Sequence, residues 1–333
     1  MSWYLAPLHG VTNRIFRNVW FTHFSGLDRA ITPFIPAAAA SRSATKHYRD
    51  IDPAVQGGVP VEPQLLAGPR DAIRECVNSI TSLGYTEINL NMGCPYPMVV
   101  KKGRGSGLLP DPVAVRRVLD SLCSIDSFRL SAKIRLGYHR VEELDAFIPV
   151  LNEYPLSRVT IHPRIGKQMY RGSVDLEGFE RAAALCTHEV VYNGDIFVHT
   201  QFSGLRAQFP AVQSWMIGRG ALMDPFLPEE LQTGTRPSDE RERLRAYHDE
   251  LFGVYKQTLY GPRHLLDKMK EIWSYLGYSF GYGGAPRGRA APPEILRAKT
   301  PDQYRIAVDF LFESTPLRSD SPSGRSPHTE NNR

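Results

Sequence analysis

Residues 87–122 read EINLNMGCPYPMVVKKGRGSGLLPDPVAVRRVLDSL. An apolar run ends at Asn91, and a cysteine follows between Gly93 and Pro95. A basic, glycine-rich stretch comes next, and Asp111-Pro112 then opens a helical pattern, because proline suits the first turn behind a capping side chain. Strand, loop and helix make one βα unit. Working outward, strand-like runs recur at Trp3–Leu8, Arg29–Ile35, Glu62–Ala67, Glu87–Asn91, Arg129–Arg135, Arg158–His162, Glu189–Asn193 and Ser214–Gly218. Helical patterns lie between them, at Asp71–Leu83, Pro112–Leu122, Val141–Leu151 and Leu176–Cys186. Such alternation points to parallel βα units. A doubly wound sheet fits the pattern too, but eight units favour a closed (β/α)8 TIM barrel, which takes ~250 residues.

The polar residues fall late in these runs. Gln64 lies within its strand, while Asn91, Lys133, Arg135, His162, Asn193 and Gly218 sit at or near C-terminal ends. In a barrel that end carries the active site. The barrel is expected over residues 1–235. Beyond it the pattern turns helical, with Glu240–Tyr260, Arg263–Leu276 and Asp302–Phe312, so a small all-helical domain is expected over 236–315. Gly281–Gly284 and Pro286–Pro293 read as loop, and residues 316–333 lack core residues and read as a disordered tail.

The chain has 333 residues, 42% of them hydrophobic, enough for a large core. Its net charge of +5 suits an anionic partner, although a mild excess of this kind also suits an ordinary soluble surface. From Lys101 to Arg140 there are nine Lys or Arg against three Asp. Cys76, Cys94, Cys123 and Cys186 form no C-x-x-C pair, so reduced thiols and a cytoplasmic setting are expected. No signal peptide, membrane span or metal site is expected.

Each candidate has an ordinary alternative. Cys94 could be a small buried hydrophobe, or a reactive thiol tuned by nearby Lys and Arg. The loop holding Lys101, Lys102 and Arg104 lacks the full phosphate-loop pattern and could be merely solvated, yet its place suits a polyanion at the barrel mouth. Lys133 could snorkel to solvent. His162 could be structural and Arg164 a surface residue. Asn193-Gly194-Asp195 could be a turn. Gly218-Arg219 could end a strand, or expose backbone N–H groups to a phosphate.

Taken together, the segments resemble the tRNA-dihydrouridine synthase family. The signature is Asn91-Met92-Gly93-Cys94-Pro95 followed by Val100-Lys101-Lys102-Gly103-Arg104-Gly105-Ser106-Gly107-Leu108-Leu109. Supporting segments begin at Ala6, Lys133, Gln168, Asn193 and Gly218. Leu8, His9, Pro163 and Ile165 depart from the pattern. The resemblance implies FMN at the barrel mouth, contacted by Pro7, Leu8, His9, Gln64, Lys133, His162, Asn193, Gly194 and Asp195, with Gly218 and Arg219 on its phosphate. It implies NADPH as reductant and Cys94 as general acid. Asn91 would orient the uracil, Lys101, Lys102, Arg104 and Arg164 would meet substrate, and the helical domain would hold tRNA. A monomer is expected. Two alternatives stay open: another FMN barrel acting on a free pyrimidine or enone, and a tRNA-binding module without catalysis.

Overall fold

The computed structural model describes residues 1–37, 47–282 and 291–318. The loop expected around 283–290 and the tail beyond 318 lie outside these residues. Ten strand segments form one sheet: β1 Ser2–Leu5, β2 Arg29–Ile31, β3 Ile35–Pro36, β4 Val61–Glu62, β5 Gln64–Leu66, β6 Glu87–Met92, β7 Arg129–Arg135, β8 Leu156–His162, β9 Val190–Tyr192 and β10 Ser214–Ile217. Their order is β3-β5-β6-β7-β8-β9-β10-β1-β2-β4, with parallel pairing.

The two ends of that order are not free edges. β2 and β3 are pieces of one strand, as are β4 and β5. β2 pairs with β4, β3 pairs with β5, and Thr32 N donates to Glu62 O at 3.0 Å between the two pairings. Pro33 and Pro63 sit in the breaks, where a residue without an N–H interrupts a ladder. Joined across the prolines, the segments make eight strands in a closed ring, so the expected TIM barrel forms.

The strands are buried on both faces, as parallel strands between helices and a barrel interior must be. In β6, Ile88, Leu90 and Met92 alternate with Asn89 and Asn91, and all five are buried. One face is therefore apolar and the other polar. The Pro112–Cys123 helix begins as its sequence dictates, with Asp111 Oδ1 accepting from Ala114 N at 3.0 Å. Among the described residues, no helix is long and apolar enough to cross a membrane. All four cysteines are free.

Packing divides the chain into two units that do not follow chain order. The first comprises Met1–His9, Asp28–Gly194 and Arg206–Met216. The second comprises Gly10–Leu27, Asp195–Leu205 and Ile217–Arg333. The boundary expected near residue 235 thus does not coincide with this division. The cause is visible within the second unit, where the Arg14–His23 helix packs against the Glu240–Thr258 helix. Phe16 and Phe24 meet Tyr247 edge-on, His23 Nε2 lies 2.7 Å from Glu250, and Tyr255 OH donates to Asn13 Oδ1 at 3.0 Å. The Gly261–Leu276 and Pro301–Ser314 helices add Trp273, Tyr304 and Phe312 to an aromatic core around the buried His248.

Candidate active site

The loop after β6 is built around Cys94. Asn91 Oδ1 accepts the backbone N–H groups of Gly93 at 3.1 Å and Cys94 at 2.9 Å. The Cys94 carbonyl accepts from both the N–H and the hydroxyl of Ser106, each at 3.0 Å. Gly105 has φ +57°, and a Cβ there would lie 2.5 Å from the Cys94 carbonyl oxygen. This glycine lets the basic loop fold back on the cysteine. It permits a close backbone approach that a side chain would block. Cys94 is 8% exposed, and burial pushes its thiol above the ordinary range. Arg135 and Lys133 oppose that rise but do not cancel it, so the thiol is protonated at neutral pH.

The loop cations separate into two kinds. Lys101 and Lys102 are exposed. Arg104 is ion-paired with Asp71, whose other oxygen accepts from Gly68 N at 2.6 Å. Arg104 therefore fastens the loop.

Along the barrel interior, Asn91 is level with Lys133, and Arg135 with His162. Lys133 Nζ makes no hydrogen bond or ion pair with any described residue. Lys133 is half-buried, with protein packed densely around it. That burial, with help from the Arg135 charge, pulls its pKa down to about 7. Arg135 Nε donates to Gly93 O at 3.0 Å and Nη1 to Ile165 O at 2.9 Å, tying the loop after β6 to the loop after β8. Arg164 is fully buried, and its Nη2 donates to Gly172 O at 2.7 Å. Its Nη1 lies 3.3 Å from His162 Nε2, and since guanidinium only donates, that nitrogen is the acceptor. Asn193 Nδ2 donates to Met216 O at 2.9 Å. Gly194 is hemmed by Pro163 and Val174. Pro7 and Leu8 are half-buried, and the exposed His9 stacks on Phe34 with ring centres 4.9 Å apart.

Asp195, Gly218 and Arg219 belong to the second unit. There Arg219 Nη2 bonds Asp195 Oδ1 at 2.7 Å and its guanidinium lies over Phe197. Arg219 thus already has an anionic neighbour. Gly218 precedes the short Arg219–Met223 helix.

Sequence reading passed over four residues below the mouth. Gln64 Nε2 donates to Asn89 Oδ1, Asn89 Nδ2 to Ser131 Oγ, and Asn91 Nδ2 to Gln64 Oε1, all at 2.7 Å. Ser131 Oγ donates to Glu62 Oε1 at 2.5 Å, and Arg158 ion-pairs with Glu62. β4 neighbours neither β7 nor β8 in the sheet, so these contacts cross the barrel interior. Burial pushes the Glu62 carboxyl up, and Arg158 opposes it. The available signal was the two-residue period: Glu62, Asn89, Ser131 and Arg158 share strand faces with Gln64, Asn91, Lys133 and His162.

As a donor set this suits an electron-rich, anionic ring system. A half-buried amine with no partner among the described residues gains an acceptor, and side-chain amides and backbone line the same strands. These are the properties required of residues that would hold FMN.

A family model described as dihydrouridine synthase matches residues 4–273. A tRNA-dihydrouridine(16) synthase of Ralstonia nicotianae is 28% identical over 244 residues, 71% of this chain and 74% of that protein. A probable tRNA-dihydrouridine synthase of Staphylococcus aureus is 27% identical over 268 residues, 76% of this chain and 78% of that protein. Among solved structures, a morphinone reductase variant superposes with a TM-score of 0.51 at 9% identity, covering 73% of this chain and 89% of that one, a likeness of fold.

Proposed function

We propose, from the premise that this chain belongs to the dihydrouridine synthase family, that it reduces the C5–C6 double bond of uridine in tRNA. When bound, FMN reduced by NADPH supplies the hydride that C6 receives. Lys133, Gln64, His162 and Asn193 would hold FMN in the first unit, with Pro7, Leu8, His9 and Gly194 beside them. In the second unit, Gly218 and Arg219 would meet a phosphate, and Asp195 would hold the Arg219 guanidinium and contact FMN. The observation that carries this reading is a pair of neighbours: an amine with no acid partner among the described residues and, on the loop after the adjacent strand, a thiol kept protonated.

Cys94 Sγ then gives its proton to C5 as negative charge develops there, completing addition of two hydrogens. The resulting thiolate is favoured by the charges of Lys133 and Arg135, and water returns the proton. Asn91 has one N–H left after bonding Gln64 and the thiol loop, so it can donate one bond to the uracil. Arg164 acts by holding the loop that carries Gly172. Lys101 and Lys102 meet phosphates, and residues 236–315 supply further tRNA contacts.

The test is to incubate the purified protein with NADPH and tRNA lacking dihydrouridine, and to digest the tRNA for mass spectrometry. A gain of two hydrogens on uridine is expected, together with a yellow chromophore released on denaturation. Reduction of a free pyrimidine or enone with untouched tRNA would overturn the reading.

A further inference from the structure

The hydrogen bonds below Cys94 all run one way. The Cys94 N–H donates to Asn91, Asn91 to Gln64, Gln64 to Asn89, Asn89 to Ser131, and Ser131 to Glu62. Each amide accepts with its oxygen and donates with its nitrogen. The direction is fixed independently at both ends. A backbone N–H can only donate, so Asn91 must turn Oδ1 toward Cys94. The Arg158 ion pair favours the ionised Glu62 carboxylate against its burial, and an ionised carboxylate can only accept, so Ser131 gives its proton to Glu62 and offers a lone pair to Asn89. Arg158, which only donates, occupies the other Glu62 oxygen. Asn89, Gln64, Ser131 and Glu62 are all at most 1% exposed, which leaves little room for solvent to supply substitutes.

We infer that Glu62 and Ser131 are positioning residues for the Cys94 loop, acting at a distance by fixing which way three amides point. This rests on the reading of Cys94 as proton donor for its catalytic meaning, but the positioning is a property of the protein alone. If the Glu62 end could donate, Ser131 could turn its proton toward Asn89. Asn89, Gln64 and Asn91 would then flip in succession. Asn91 would bring Nδ2 against the Cys94 N–H, two donors facing one another, and the turn would lose two hydrogen bonds.

The experiment is iodoacetamide labelling of the native, purified protein, followed site by site by peptide mass spectrometry. Cys76, 3% exposed and outside the relay, reports general loosening. The variants are Ser131→Ala, which removes the link but leaves the Glu62–Arg158 pair, and Ser131→Thr, which retains a hydroxyl. Glu62→Gln is added as the reversing variant; if it fails to fold, Ser131→Ala decides. The expected result is several-fold faster labelling of Cys94 in Ser131→Ala, an unchanged rate at Cys76, and return to the parent rate in Ser131→Thr. An unchanged Cys94 rate in folded Ser131→Ala would overturn the inference. So would parallel acceleration at Cys94 and Cys76, which marks general loosening. Because labelling needs no tRNA, a failure of the proposed activity leaves this result standing, and the converse also holds.

Discussion

At the scale of single residues, the site depends on a thiol held in its protonated form and an amine drawn away from its solution charge state. Cys94→Ala removes the proton donor but none of the proposed flavin contacts. Flavin content and NADPH oxidation should persist, while dihydrouridine formation falls by about 10²–10⁴-fold, the usual worth of a positioned general acid. Quantifying dihydrouridine at matched flavin content checks this. Lys133 is an amine whose pKa falls from 10.5 in the free side chain to about 7 in the folded flavin-free protein. Between those values the unfolded chain binds more protons, so this group makes stability rise with pH across that window. Below it the lysine is charged in both states and its burden is greatest. Lys133→Met should therefore raise the melting temperature of the apoprotein most at and below pH 7, with the gain shrinking toward pH 10.5; a gain constant across that window would contradict the assignment. Cys94, Gln64, Lys133, His162 and Asn193 were legible because each is polar in, or just after, an apolar run. Glu62 and Ser131 were not. Each reads as a polar residue alternating out of a strand, and each finds its partner on a non-neighbouring strand that only barrel closure brings within reach.

At the scale of elements, strand positions were readable from alternating runs, and helix starts from residues such as Asp111-Pro112. The two prolines were harder. A strand broken by Pro33 or Pro63 still lies in the wall, because the hydrogen bonds on either side continue the pairing. The basic loop carries structure that its composition does not announce: glycine beside lysine and arginine suggests anion binding, and in addition Gly105 answers to the Cys94 carbonyl and Arg104 to Asp71. Gly105→Ala should consequently damage the loop without unfolding the barrel, since a non-glycine residue at φ +57° is strained and its methyl has no space. Far-UV circular dichroism should be unchanged and dihydrouridine yield sharply reduced. Retained yield would show that the loop tolerates displacement of the cysteine backbone.

At the scale of the whole molecule, net charge and packing lead to different tests. With net charge +5 and an RNA substrate, affinity should fall steeply with salt, by about 0.9 in log–log slope for each duplex phosphate neutralised. Replacing Lys101 and Lys102 by Ala should flatten that slope in titrations across salt concentrations. Arg104→Ala should instead act on the loop, leaving the slope nearly as before. The line near residue 235 was drawn where strand patterns cease, which is the only boundary a linear pattern offers. Packing ignores it, because Phe16 and Phe24 from the beginning of the chain meet Tyr247 from near its end. That arrangement governs events on the ribosome. Roughly 200 residues separate the Arg14–His23 helix from its Glu240–Thr258 partner, which at ~5–20 residues per second means roughly 10–40 seconds of synthesis. Throughout that interval the aromatic face of the first helix has emerged without its cover. A nascent chain of this protein therefore presents that aromatic face uncovered until the partner helix has been made.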